Sequence, residues 1–160
     1  MKRGSTFILR GAVIAIGAVV LALCVFALPA IWAAVAEEYP HYTYVFYVIL
    51  SAFYVAAVPF YVALYQAMKL LSYIDNGKAF TLFAVKALKR IAYSALSISA
   101  VFVASLPFFY IWADNDDAPG LVIVGMFLVV APFTIAVFAA LLQRLFREAI
   151  EIKDENDLTV

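Results

Sequence analysis

The sequence predicts an all-α integral membrane protein, an antiparallel four-helix bundle with N-in and C-in termini and short cytoplasmic helical extensions. Composition, the segregation of charge, and the placement of basic residues in the loops all point to it. Of 160 residues, 68% are hydrophobic and 14% charged. A soluble domain of this size needs far more polar surface to cover its core. Residues 11–36, 39–68, 91–113 and 121–143 contain no Asp, Glu, Lys or Arg, giving uncharged runs of 26, 30, 23 and 23 residues. About 20 residues of helix cross a hydrocarbon core of about 30 Å, so each run can span it. Strands of a membrane barrel would alternate in polarity over about 10 residues, and these runs do not.

Orientation follows from the cations. All eleven lie in the N-terminal tail (Lys2, Arg3, Arg10), the central loop (Lys69, Lys78, Lys86, Lys89, Arg90) or the C-terminal tail (Arg144, Arg147, Lys153). The other two loops carry only acids, Glu37 and Glu38 in one and Asp114, Asp116 and Asp117 in the other. The positive-inside rule therefore places both termini and the central loop in the cytoplasm of a bacterial plasma (inner) membrane. Zero net charge hides an inner face of +5 and an outer face of −5. Trp32, Tyr39, Tyr42, Tyr110 and Trp112 fall at the outer boundary, where aromatic belts are expected.

The chain reads as one domain, 1–160, with helices near 8–36, 42–74, 82–112 and 121–150 and an acidic tail at 151–160. The first run begins like a signal peptide, with Ala34-Val35-Ala36 as a cleavage site, but it is far longer than the usual apolar core of about 7–15 residues. Cys24 is alone in the first span and reads as a structural thiol. Between the second and third spans, Asp75-Asn76-Gly77 closes a helix, with Gly77 as the left-handed residue. Phe80 re-enters the interface and Thr81 is the expected N-cap of the third span. Leu82, Val85, Leu88 and Ile91 then share one stripe, while Lys86, Lys89 and Arg90 face headgroups or cytosol.

Catalysis is not expected. No ionisable residue lies within a span, and one His, one Cys and no paired carboxylates at depth leave no nucleophile–base set. The outer Asp-Asn-Asp-Asp run does not match a calcium loop: Pro119 and Gly125 stand where Gly and Glu are required. No metal, cofactor or direct nucleic-acid contact is expected; the bilayer is the expected partner.

Each span holds a proline, Pro29, Pro59, Pro107 or Pro132, which frees a carbonyl one turn back. Ser105 and Thr134 are available to Pro107 and Pro132. A splayed outer half could then hold a lipid-like ligand. Residues 45–65, VFYVILSAFYVAAVPFYVALY, repeat Phe-Tyr every seven residues. A step of seven returns to within about 20° on a helix, so Tyr47, Tyr54, Tyr61 and Tyr65 form one stripe. Phe46, Phe53 and Phe60 form a second, facing lipid or a groove. Ala52, Ala56, Pro59, Ala63 and Ala67 form a small-residue ridge opposite the tyrosines. That ridge is expected to pack on Gly11, Ala15, Ala18 and Ala22 of the first span, or on a second copy in a homo-oligomer. The Tyr54 hydroxyl, near mid-depth, needs a partner. The tyrosines are therefore expected to turn inward, toward Ser94 and Ser97 or proline-freed carbonyls.

The segments LLSYIDNGKAFT, ALKRI and the terminal IKDENDLTV resemble the bacterial membrane-protein family labelled domain of unknown function 2975. The resemblance implies four helices and an acidic tail throughout. It also implies a regulatory pairing with a small helix-turn-helix protein. The chain departs from the family pattern at Ala79, where proline is common, and at 82–85, where LFAV leaves Thr81 without a capping box. On these grounds the expected role is a non-enzymatic regulatory or sensory adaptor. Its partner contacts are expected at Asp75, Asn76, Gly77, Phe80, Lys86, Lys89, Arg90, Asn156, Asp157 and Leu158. Leu158-Thr159-Val160 could add a strand to a partner's sheet edge, or the tail could fold back on Lys86, Lys89 and Arg90. The alternative is a small transporter, or a subunit of one, for an apolar or lipid-like substrate. In either case Tyr47, Tyr54, Tyr61, Tyr65, Ser94, Ser97, Pro107 and Pro132 are expected to line the bundle interior.

Overall fold

A computed structural model describes residues 3–159, with side chains over 4–158. The cation of Lys2 and the terminal Val160 lie outside the described residues, as do the side chains of Arg3 and Thr159. The described chain is helical apart from its turns: α1 (Arg3–Ala22), a π turn (Leu23–Ala27), α2 (Leu28–Glu38), a 3-10 turn (Pro40–Tyr42), α3 (Thr43–Asp75), α4 (Leu82–Asn115) and α5 (Gly120–Thr159). Four stretches are long and apolar enough to cross a membrane: Gly4–Glu38, Pro40–Asp75, Leu82–Asn115 and Gly120–Leu158. The first span is thus α1 and α2 joined end to end. One end of the molecule carries the start of α1, the end of α5 and the α3–α4 turn, with the cations among the described residues. The other carries the two acidic loops.

α4 is the axis of the fold. Its side chains Ala84, Ala87, Ser94, Ala95, Ser99, Ser105 and Ala113 are small and buried, so both α3 and α5 approach its backbone closely. Phe102 and Phe109 fill the gaps, against Ala52 and Ala56 of α3 in one layer and Val45 and Ile49 in the next. Gly125 of α5 meets α4 without room to spare. A Cβ there would lie 3.0 Å from Leu106 Cδ2 and 3.2 Å from Phe109 Cγ. By contrast, no residue in the apolar window of the first span is buried. That span packs on α3 over a small area and forms no substantial contact with α5.

Helix ends follow backbone rules. At the end of α3, Gly77 has φ +73°. Lys78 N–H reaches Tyr73 O at 2.7 Å and Gly77 N–H reaches Ile74 O at 3.2 Å, the paired bonds of a Schellman close. At the end of α4, Asp117 takes the same role at φ +50°, with Ala118 N–H on Ala113 O at 2.9 Å. Short acidic side chains tolerate this region better than most L-residues.

Several expectations are corrected here. The tail at 151–160 does not leave the fourth helix: α5 runs on through its described part, with residues 151–158 exposed. The described part of the tail is therefore helical, neither extended nor folded back on Lys86, Lys89 and Arg90, and Val160 of the expected strand lies outside the described residues. That segment alternates charge with Ile152 and Leu158 and contains no Gly or Pro, so nothing in it breaks a helix. Thr81 occupies the N-cap position, but its hydroxyl bonds back to Lys78 O instead of capping. Leu82 is exposed, so the inner stripe of α4 begins at Val85. Trp112 lies at the outer boundary as expected, with its ring turned into the bundle. Its ring packs on Phe46 at 4.9 Å and Phe109 at 6.5 Å between centroids.

Gly125→Val should therefore lower detergent stability by about 1–3 kcal/mol, the usual cost of overpacking. Gly11, where a Cβ meets nothing within 4 Å, should accept alanine with no loss. Thermal unfolding of the two variants side by side checks the contrast.

Candidate functional site: an apolar chamber behind a tyrosine-pinned helix

The site begins with a proline. In an α-helix the Cys24 carbonyl would accept from Leu28 N–H, but in the π turn Leu28 N–H goes to Leu23 O instead. The next nitrogen belongs to Pro29, which has no proton to give. The Cys24 carbonyl is left without a helical partner in a region where water cannot serve. Tyr54 of α3 supplies the missing donor: its hydroxyl reaches Cys24 O at 2.8 Å.

A second tyrosine link lies one heptad away. Tyr61 donates to Gly17 O at 2.8 Å. Tyr47 stacks edge-on against Trp32, ring centroids 5.4 Å apart. Going up α3 in steps of seven, the partners descend the antiparallel first span by similar steps. The approach is close at Gly17, where a Cβ would sit 3.2 Å from Leu64 Cδ1. At the basic end Arg10 completes the attachment, donating to Ser72 Oγ at 3.0 Å and pairing with Asp75 at 3.2 Å.

The heptad of aromatics is thus a zipper between the first two spans. The tyrosines turn toward α1 and α2, not toward the serines of α4. The alanine ridge faces α4, where Ala52 and Ala56 are buried against Phe102. The expected pairing of that ridge with Gly11, Ala15, Ala18 and Ala22 is overturned. The reason is polar: the tyrosine face answers the Cys24 carbonyl freed before Pro29. Tyr47 and Tyr65 remain more than half exposed, at 62% and 59%, so they are not interior residues.

Pinning the first span by long tyrosines, while α3 packs by alanine on α4, leaves a hollow between the two layers. Its volume is about 420 Å³. Leu23, Cys24, Ala27, Leu28 and Ile31 wall it on one side. Phe53, Ala56, Ala57 and Phe60 of α3 form the floor, with Ile98 and Phe102 of α4 and Leu128 of α5 behind. All four spans therefore contribute. A second hollow of about 240 Å³ shares Leu28, Ile31 and Phe53 and continues toward the acidic end past Trp32, Phe46 and Trp112. The Phe stripe accordingly faces the interior, not lipid: Phe46 is 7% exposed and Phe53 lies edge-on to Phe102 at 5.2 Å. The combined crevice offers hydrocarbon and aromatic faces and suits an apolar guest of lipid-like shape.

Other expected site residues are elsewhere. Ser94 is buried, yet on the basic side of the chamber, and Ser97 is exposed and bonds back to Tyr93 O at 2.9 Å. Pro107 is exposed and Pro132 half-buried, and neither lines the chamber. Ser105 and Thr134 bond to Phe102 O and Val130 O, not to the carbonyls one turn before Pro107 and Pro132. Cys24 is half-buried and lines the chamber instead of filling a core. The basic-end residues Asp75, Asn76, Gly77, Phe80, Lys86, Lys89, Arg90, Asn156, Asp157 and Leu158 are exposed. Phe80 is anchored from outside by Phe146 at 5.3 Å. The turn and the α5 extension thus share one end of the molecule.

Sequence reasoning missed Ala27, Leu28, Ile31 and Ala57 as chamber residues. It also missed the links Arg10–Asp75 and Tyr39–Asp116, the latter a hydrogen bond from the Tyr39 hydroxyl. The signal available for the chamber was Pro29, whose freed carbonyl lies within reach of a mid-depth tyrosine.

These features define a multi-pass, four-helix membrane protein with an apolar crevice lined by all four spans. Residues 30–160 match the family described as "Protein of unknown function (DUF2975)", and the chain belongs to that family. It is 51% identical over 160 residues, the full length of both chains, to a protein of Bacillus subtilis (strain 168) titled "Uncharacterized membrane protein YoaS". No solved structure matches.

Tyr54→Phe should cost about 0.6–1.5 kcal/mol, the range of a membrane or net protein hydrogen bond. Pro29→Ala restores a backbone donor, so the same Tyr54→Phe change should cost less in that background. A double-mutant cycle of detergent melting temperatures tests the coupling; equal costs in both backgrounds would separate Tyr54 from Pro29. At the acidic end, the hydrogen bond to Asp116 pushes the Tyr39 hydroxyl up to about 12, with burial and the Asp116 and Glu38 charges adding to it. A raised phenol favours the folded state below its unfolded value of about 10 and loses that preference as pH rises toward 12. Ultraviolet difference titration should show one phenolate transition near that pH that Tyr39→Phe removes.

Proposed function

We propose that this protein is a non-enzymatic sensory adaptor in the bacterial inner membrane. An apolar, lipid-like molecule in the chamber biases the first span, and the cytoplasmic end reports it. The chamber carries this reading, because all four spans line it and one of its walls is held chiefly by three polar links, at Cys24, Gly17 and Arg10. A guest that shifts α1 also shifts Arg10, which holds Asp75 beside the turn Asn76–Gly77. That coupling gives a packing change at mid-depth a route to an exposed turn. With N-in and C-in orientation, the turn and the helical extension 151–158 face the cytosol together. The family resemblance favours a small helix-turn-helix regulator as the partner docked there.

Thermal unfolding in detergent with a panel of lipids and apolar amphiphiles should show one class that raises the melting temperature. Ala57→Phe, which fills the chamber, should abolish that shift while leaving the unliganded protein folded. A photo-cross-linker at position 76 or 158 in native membranes should capture a helix-turn-helix protein, with a yield that changes on adding the stabilising ligand. Movement of the same ligand across liposomes by the purified protein would overturn the adaptor role in favour of a small transporter.

A further inference from the structure

A second groove, separate from the chamber, lies between α4 and α5 toward the basic end. Its volume is about 440 Å³, within the range of small-molecule sites of roughly 300–1,000 Å³. Ala92, Ala136 and Ala140 give it small-residue walls, and Phe133 lies among its deeper apolar lining. At the mouth stand Lys89 and Tyr93 from α4 with Gln143 and Arg147 from α5. Along each helix the polar residues lie nearer the basic end than the apolar ones, so the groove runs from a cationic mouth into hydrocarbon depth.

The two cations differ from their neighbour. Arg144 is paired with Glu148 at 3.5 Å. Neither Lys89 nor Arg147 has a carboxylate partner among the described residues. Lys89 lies over the Tyr93 ring, Nζ 5.9 Å from its centroid, which holds it beside the groove. A cationic mouth over an apolar slot at a bilayer boundary matches a molecule that is anionic at one end and hydrocarbon at the other. Arg147 can offer a phosphate two parallel donors and Lys89 a compact charge. Gln143 and Tyr93 add neutral donors at the same level.

We propose that this groove binds one anionic glycerophospholipid from the leaflet at the basic end. Its phosphate lies between Lys89 and Arg147, and an acyl chain runs along Ala140 and Phe133. The site is independent of the chamber and stands whether or not the chamber takes a ligand.

Native mass spectrometry of the full chain, released from nanodiscs of mixed phosphatidylglycerol and phosphatidylcholine, tests this. One phosphatidylglycerol should be retained with a preference of roughly ten- to thirty-fold, the order expected for two basic groups at an anionic headgroup. The double variant Lys89→Gln, Arg147→Gln should lose the preference, and Ala140→Phe should lose retention. Arg144→Gln makes a comparable charge change outside the groove and should keep both. Inorganic phosphate at millimolar concentration should not displace the lipid. Equal retention of the two lipids by the unmodified protein would overturn the proposal. So would an unchanged preference in the double variant, an equal loss in Arg144→Gln, or displacement by inorganic phosphate.

Discussion

The hydrogen bond from Tyr54 to the Cys24 carbonyl is the constraint around which the rest is arranged. In hydrocarbon each backbone polar group needs a partner, and an unpaired carbonyl costs on the order of several kcal/mol. The π turn and Pro29 together release one carbonyl at mid-depth, the Leu28 N–H going to Leu23 and Pro29 having none to give. The partner has to come from α3 and has to be long. A tyrosine spans the gap that a serine could not, so the first span stands off from α3 by a ring's length.

That standoff explains the asymmetry of the molecule. α3, α4 and α5 pack through alanine, serine and glycine, with close backbone approach and aromatic fillers. The first span touches only the tyrosine face of α3, and none of its apolar window is buried. Two packing modes on opposite faces of one helix leave the chamber between them. The same asymmetry fits the proposed sensing role, since a wall held by discrete polar links can move without disturbing a tightly packed core.

Charge arranges the two ends independently of this interior. The basic end gathers the termini, the α3–α4 turn and the open mouth of the α4–α5 groove. The acidic end is tied by Tyr39 to Asp116, joining its two loops. Neither end needs a charged residue inside the membrane, and the chamber has no Asp, Glu, Lys, Arg or His among its lining residues. The chemistry at depth is therefore shape and hydrocarbon, with the Cys24 carbonyl already taken by Tyr54.

Much of this was legible in the residues alone. Four uncharged runs determined four spans, because hydrophobic length against bilayer thickness is a one-dimensional property. Gly77 and the heptad of aromatics were readable because helix ends and helix faces follow local geometry. The identity of the face opposite each stripe was not. Ala52 and Tyr54 lie on opposite sides of α3, and periodicity places them without saying which neighbour each meets. In the tail, charge density resembles a frayed end, but the lack of helix breakers counts for more and α5 continues. The chamber depended on a π turn that shifts hydrogen bonds by one residue, and a register change of that kind appears only when the partner helix is in place. Sequence determined that this chain is a membrane-spanning set of four helices. Tertiary structure decided that three of them form the core and the fourth is pinned beside a cavity, because only there does the freed carbonyl find its donor.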